Sequence, residues 1–348
     1  MRVRWLTSLA LVLAVAGAGA WFWLVRFGTW LDQPLTLPPG EVRIIVRPGE
    51  RLSEVGREAA RRGWLTRSAY LTLWGRWTGQ ATRIKAGEFR IPPGATPRRL
   101  LRILVIGRPV QHTITFLEGW TFAQVVTAVQ SHPAIRITLP TEKPPADLGF
   151  LGEPGVAPEG YLMPDTYHFE RGSTDVDLLA RAHRAMRRFL AEEWPKRAAH
   201  LPVSTPYQAL ILASIVEKET GRDEERARIA GVFTRRLQRG MRLETDPTVI
   251  YGIGPEFDGN LTRRHLGEPT PYNTYLIEGL PPTPIALPGR ASVLAALHPA
   301  PGEAMFFVSK GDGGHYFSKS YEEHRRAVGR YQRHPHARGR ISRPSGRH

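Results

Sequence analysis

Leu6 through Val25 is uncharged and mostly apolar, about 30 Å long as a helix and so able to cross a bilayer core. Arg2 and Arg4 precede it, and the positive-inside rule then leaves the N-terminus in the cytoplasm and the bulk of the chain outside. Ala16-Gly17-Ala18 and Ala18-Gly19-Ala20 resemble signal-peptidase sites, so a cleaved leader is the competing reading. Against it, Trp21-Phe22-Trp23-Leu24-Val25 stays apolar past the cut and offers an interfacial aromatic anchor. Residues 27–41, with Pro34, Pro38, Pro39 and Gly40, read as a spacer.

Beyond the spacer the apolar period switches repeatedly between two and about 3.6. Arg43–Gly49 leads into Leu52–Val55, Phe89–Gly94 into Thr96–Leu101, and Ile114–Gly119 into Thr121–Val125. Each reads as strand, glycine turn, Ser or Thr cap, then helix. The spacings are unequal, so this is a recurring unit and not a strict repeat array. Such small β/α units are similar to the LysM module, a binder of N-acetylglucosamine polymers, over roughly 43–107. Residues 138–172 are rich in Pro and Gly. A helix capped by Ser173 or Thr174 follows, with Leu178, Leu179, Ala182, Met186, Phe189 and Leu190 on one face. Asp223 to Gly240 predicts another, with Ile229, Val232, Phe233 and Leu237 inward. From 241 to 320 the pattern is irregular, as in a cleft-forming region.

Between those two helices lies the most informative segment. Thr205 suits an N-cap, Pro206 the first helical position, and Gln208 completes a capping box. Ala209–Val216 is the helix body, Glu217-Lys218-Glu219-Thr220 its end, and Gly221 its expected stop. Successive residues turn by about 100°, so Glu217 and Glu219 point some 200° apart and do not enter one cleft together. Glu219 continues the stripe Ile211, Leu212, Ile215, Val216, and Glu217 follows Ala213 and Ser214. A carboxyl at the edge of an apolar stripe is desolvated, its pKa rises, and it suits a general acid near neutrality. Surface glutamates that merely solvate a helix end are the ordinary alternative.

Composition adds little. The 348 residues hold 48 Lys+Arg against 32 Asp+Glu, a net charge of +16, and allow two domains. Eight Arg and no acid lie in the last 24 residues, from Arg325. The remaining basic bias suits a lipid surface or an acidic polymer without selecting one; no nucleic-acid-binding signature is present. The absence of Cys excludes thiolate metal sites, disulfides and a Cys nucleophile. The twelve His show no HExxH spacing. No metal or cofactor is expected.

Several motifs fall in an order that resembles the membrane-anchored endolytic murein transglycosylases, the MltG or YceG-like proteins. They are Glu159-Gly160 with Pro164-Asp165-Thr166, Ala213-Ser214-Ile215 with Glu217–Thr220, and Gly240–Leu243 with Thr245–Gly252. Tyr272-Asn273-Thr274-Tyr275, Gly279–Pro282, His298-Pro299 and Gly314-His315 with Phe317 complete the series. The resemblance implies cleavage within peptidoglycan glycan strands at the plasma (inner) membrane, beside murein synthases as partners. It places the catalytic Glu just before Ser or Thr at a helix end, which Glu219-Thr220 satisfies and Glu217-Lys218 does not. Thr245, Asp246, Asn273 and Tyr275 are the candidate substrate-binding residues. The plainer readings are that Asp246 caps a helix, that 272–275 orders a loop, that Glu159 and Asp165 are structural, and that His315 is a satisfied loop histidine.

The expected fold is therefore α+β. A single transmembrane helix (1–26), a linker (27–41) and a LysM-like module (42–107) precede a mixed helical catalytic domain (108–332) and a basic disordered tail (333–348). Three other functions compete. A water-using muramidase would take Asp246 as second carboxylate, and a non-catalytic murein-binding scaffold would need no acid. A pyridoxal-phosphate lyase would need a Schiff-base lysine, and Lys218 points away from Glu219's side of the helix.

Overall fold

The computed structural model describes residues 2–331, with side chains from residue 11 onward; the expected disordered tail at 333–348 lies outside the described residues. The chain forms two compact units. The first comprises residues up to Thr113 with Ala134–Arg136 and His168–Ser173, and the second Ile114–Pro133, Ile137–Tyr167 and the chain from Thr174 onward.

In the first unit a long apolar helix α1 (Arg2–Asp32) is followed by strand β1 (Val42–Val46), helices α2 (Leu52–Arg61) and α3 (Ser68–Trp77), strand β2 (Gly87–Ile91) and helix α4 (Pro97–Ile106). β1 and β2 pair antiparallel, Val42 opposite Ile91 and Val46 opposite Gly87. Alternate residues Val42, Ile44 and Val46 are buried, the period-two signature of a half-buried strand. They meet Leu52, Val55, Leu71, Phe89, Leu100, Leu101 and Leu104 in one core.

Two expectations change here. Of the stretch 27–41, read as a spacer, only residues 33–41 are irregular. α1 continues to Asp32, and Phe27, Trp30, Leu31 and Leu35 are buried in the core of the unit. Phe27, Trp30 and Leu31 lie on the last turns of α1, and Leu35 packs from the irregular chain just after Pro34. The first strand–turn–helix unit has no Ser or Thr cap; its helix start is held by the Glu54 carboxylate, which accepts the Arg51 N–H at 2.8 Å. The other two start as expected, at Thr96 and Thr121.

Strand β3 (Gln111–Thr115) pairs with β4 (Thr166–Glu170), and helix α5 (Phe122–Gln130) lies between them in sequence. The second unit continues with α6 (Asp175–Glu193), α7 (Pro206–Glu219), α8 (Asp223–Gln238), α9 (Asp246–Ile253), α10 (Arg263–Gly267) and α11 (Arg290–Leu297). It closes with the antiparallel hairpin β5 (Phe306–Ser309) and β6 (His315–Ser318), then α12 (Tyr321–Tyr331). Every residue expected on the inner face of α6 is buried. The stretch 241–320 is less irregular than expected, since it supplies α9 to α11 and the hairpin. α7 is the centre of this unit, packed on α8 and α11.

Candidate active site

α7 begins as its sequence demands: Pro206 is in the first turn, and the Thr205 hydroxyl accepts the Gln208 N–H. The reciprocal half of the capping box is absent. The Gln208 side chain instead accepts from the backbone N–H and hydroxyl of Ser204, at 2.7 and 2.9 Å. The helix is stopped by Thr220, whose backbone turns extended at φ −145°, and not by a left-handed Gly221. Nor does it carry a one-sided stripe, because every residue from Ala209 to Val216 is buried. Direction alone therefore separates the two glutamates at its end.

Glu217 turns toward α11, where its carboxylate accepts the Gly289 N–H at 2.9 Å and the Ser292 hydroxyl at 2.7 Å. Arg226 lies 3.7 Å away. A carboxylate at a helix N-terminus facing an arginine is fully satisfied. Glu219 turns the other way and accepts one hydrogen bond, from the Thr245 hydroxyl. Burial pushes its pKa up to about 7; the Thr245 bond opposes the rise and the nearby Asp246 adds to it.

Thr245 ends an extended segment whose preceding residue, Glu244, has the positive φ of 52°, a conformation unfavourable for a residue with a Cβ. Arg236, buried on α8, pairs with Glu244 and donates to the Arg242 carbonyl at 2.7 Å. The Thr245 N–H donates to the Thr274 hydroxyl at 3.1 Å, and the Glu244 N–H to the Thr274 carbonyl at 3.1 Å. The Thr245 hydroxyl is thus aimed at Glu219 by a fixed backbone. Asp246 is the first residue of α9, where no side-chain cap bond is made, so it does not act as the expected cap. It accepts the Tyr275 hydroxyl at 2.6 Å.

Glu219, Thr245, Asp246 and Tyr275 share the wall of a cavity of about 370 Å³, with Phe307 and His315 opposite on the hairpin. Glu219 also borders a second cavity of about 390 Å³, with Glu118, Trp120 and Gln124. Glu219 therefore borders both open spaces. Asn273 does not join the others. It is wholly buried, its amide donates to the carbonyls of Leu266 and Glu268 at 3.1 and 2.8 Å, and its oxygen accepts the Tyr275 N–H at 3.0 Å. It holds the loop that carries Tyr275, and no polar atom is left to contact a ligand.

Glu159 is buried away from both cavities, bonded by the Phe122 N–H at 2.9 Å and the Tyr251 hydroxyl at 3.0 Å; burial raises its pKa to about 7. Asp165 is exposed and accepts its neighbour's N–H, from Thr166, at 2.7 Å. His315 lies on a strand, where its Nδ1 is 2.7 Å from Glu225, and it lines the first cavity as well. Lys218 reaches the Gly119 carbonyl at 3.3 Å. Arg236, Glu244 and Glu118 were not singled out by the sequence. Glu118 sits beside Glu217, and burial followed by that neighbour raises its pKa. Only Glu244 left a trace, by directly preceding the Thr245-Asp246-Pro247 motif; the other two meet the site through tertiary contacts.

A model of the YceG-like family matches residues 44–330. An endolytic murein transglycosylase of Bacillus subtilis (strain 168) is 36% identical over 173 residues, covering 50% of this chain and 48% of that protein. One from Streptococcus pneumoniae (strain D39) is 24% identical over 366 residues, covering 92% and 64% respectively. The chain thus spans about half the length of the first relative and less than two thirds of the second. A crystal structure of a yceG-like protein from Listeria monocytogenes aligns with a TM-score of 0.49 and 24% identity, covering 83% of this chain and 99% of that one.

Proposed function

The chain belongs to the YceG-like family, and on that premise we propose that it is an endolytic murein transglycosylase, as its Bacillus and Streptococcus relatives are named. Its substrate is the peptidoglycan glycan strand, cut at the bond between N-acetylmuramic acid and N-acetylglucosamine. The supporting observation is Glu219, whose carboxyl pKa burial pushes up to about 7 and which lines two cavities. Such a group is about half protonated at neutral pH and can both give and take a proton.

In the proposed reaction protonated Glu219 donates to the glycosidic oxygen as its bond to C1 breaks. The muramyl C6 hydroxyl then attacks C1, and its proton passes to the Glu219 carboxylate. The product is a 1,6-anhydro end; no water is consumed and the enzyme returns to its starting protonation. Intramolecular attack needs no second carboxylate and gains from proximity. Thr245 orients Glu219, Asp246 and Tyr275 line the path of the strand, and Asn273 acts by positioning Tyr275.

The same proposal assigns residues 6–25 to a plasma-membrane anchor with the catalytic unit outside, where murein synthases are the expected partners. It assigns 42–107 to a LysM-like module. The order β1-α2-α3-β2, two antiparallel strands around two helices, supports that assignment, and 108–332 is then the catalytic domain. Asp246, in the same cavity as Glu219, favours a second reading in which it activates water as in a muramidase.

Mass spectrometry of murein digested by the protein, beside Glu219→Gln, separates the two. Anhydromuramyl ends from the wild type, reduced by about 10²–10⁴-fold in the variant, are expected of a general acid/base. Reducing ends, one water heavier, would instead establish hydrolysis.

A further inference from the structure

α1 does not hand the chain over to a flexible tether. It continues without a break from its apolar run into the first unit, so the unit begins where the apolar run ends. The apolar run ends at Val25 and Arg26 follows, with Trp21, Phe22 and Trp23 exposed just before it. Aromatic side chains and then an arginine mark the headgroup level of a membrane helix. Phe27 is two residues beyond Val25, about 3 Å along the axis. The headgroup layer itself is about 5–7 Å thick.

α3 is held at that height. Tyr70 packs on Trp23, Phe27 and Trp30, with ring centroids 6.1, 5.2 and 5.4 Å apart. Trp74, one turn further along α3, also reaches Phe27, at 6.3 Å. Trp77 packs on Trp74 at 5.8 Å. Yet Trp77 is 69% exposed and Leu73 42%. An exposed Leu and Trp one turn apart on a helix are costly in water and favourable at a lipid interface.

Charge completes the face. Trp74 borders a groove of about 920 Å³ whose other wall is α4, with Arg98, Arg99 and Arg102. Arg98 is neutralised by Asp32, Nε to Oδ1 2.9 Å. Arg99 and Arg102 are exposed, and no ion pair involves them among the described residues.

We propose that Leu73 and Trp77 of α3, with Arg99 and Arg102 of α4, dock the first unit onto an anionic phospholipid surface beside the emerging α1. The aromatic and aliphatic side chains enter the headgroup layer and the two arginines meet lipid phosphates. The protein is then gripped by the membrane twice, through the anchor and through this face, which holds the first unit flat against the bilayer. The proposal rests on the reading of α1 as a membrane anchor.

The test exploits the absence of cysteine in the chain. The full-length protein is reconstituted into phosphatidylglycerol/phosphatidylcholine vesicles with a nitroxide on Leu73→Cys or, separately, on Val15→Cys. Both positions are exposed in the protein, so neither label disturbs a core. Accessibility to oxygen and to a water-soluble nickel chelate reports depth. The expected result is protection of both labels from the chelate, with Leu73→Cys losing its protection in Arg99→Glu/Arg102→Glu and in pure phosphatidylcholine. Protection of Val15→Cys alone would overturn the docking while leaving the anchor intact. Two chelate-accessible labels would overturn the anchor and the docking with it. Protection of Leu73→Cys that survives both the charge reversal and the neutral lipid would remove the anionic-lipid assignment.

Discussion

Glu217 and Glu219 are the same residue type two positions apart, in different surroundings. Glu217 has three partners and is held in place by them. Glu219 has one hydroxyl donor and a raised pKa. With that pKa at about 7, the protonated fraction required of a general acid falls as pH rises above neutrality, so kcat/KM should decline on the alkaline side. The Thr245 bond stabilises the charged form. Thr245→Val removes it, raises the Glu219 pKa further, and should move the alkaline limb of the pH–rate profile to higher pH. An unchanged limb would mean that Glu219 is not the group being titrated. The divergence of the two glutamates was legible in the sequence from helix geometry, since residues two positions apart on a helix point about 200° apart. The partners were not legible, because Ser292 and Thr245 reach α7 only through the tertiary fold.

The elements differ in how openly their sequences declare them. α6 carries charged residues on its outer face, so its apolar period stands out and its buried set was readable residue by residue. α7 is buried on all sides over 209–216, and a helix without a polar face offers no stripe to read. α3 escaped notice for a related reason: Leu73 and Trp77 place apolar residues on its exposed face, which blurs the contrast between faces. α11 was lost within an apparently irregular stretch, although its N-terminus is what holds Glu217. Removing that carboxylate by Glu217→Ala leaves Arg226, itself nearly buried, without its carboxylate partner on α7. Arg226 keeps Asp223 as a carboxylate partner, so a loss of about 1–3 kcal/mol is expected, from the Gly289 N–H left without its acceptor, read as a lower midpoint in urea unfolding. Glu219→Gln breaks no ion pair and should leave that midpoint near or above the wild-type value. If the two variants lose equal stability, the division into structural and functional carboxylates fails.

At the scale of the whole molecule the decisive feature is where the N-terminal apolar helix stops being exposed and becomes core. The sequence marks a break in composition after Val25, and Pro34, Pro38 and Pro39 suggest a tether. The fold draws its boundary later. Phe27, Trp30, Leu31 and Leu35 are buried, Trp30 Nε1 donates to Thr66 at 3.0 Å, and the Leu35 N–H donates to the Ala95 carbonyl at 2.8 Å. Full burial of one such side chain contributes about 1.5–3 kcal/mol, against a typical domain stability of about 5–15 kcal/mol. Deleting all four thus removes an amount comparable to the entire stability of the first unit. A soluble chain beginning at Arg26 should retain that unit as a cooperative fold, and one beginning at Glu41 should not. Amide hydrogen exchange resolves the difference, because the strands Val42–Val46 and Gly87–Ile91 would lose protection in the shorter chain alone while α7 and α8 keep theirs. Equal protection of the two strands in both chains would show that residues 26–40 are dispensable to the core they occupy.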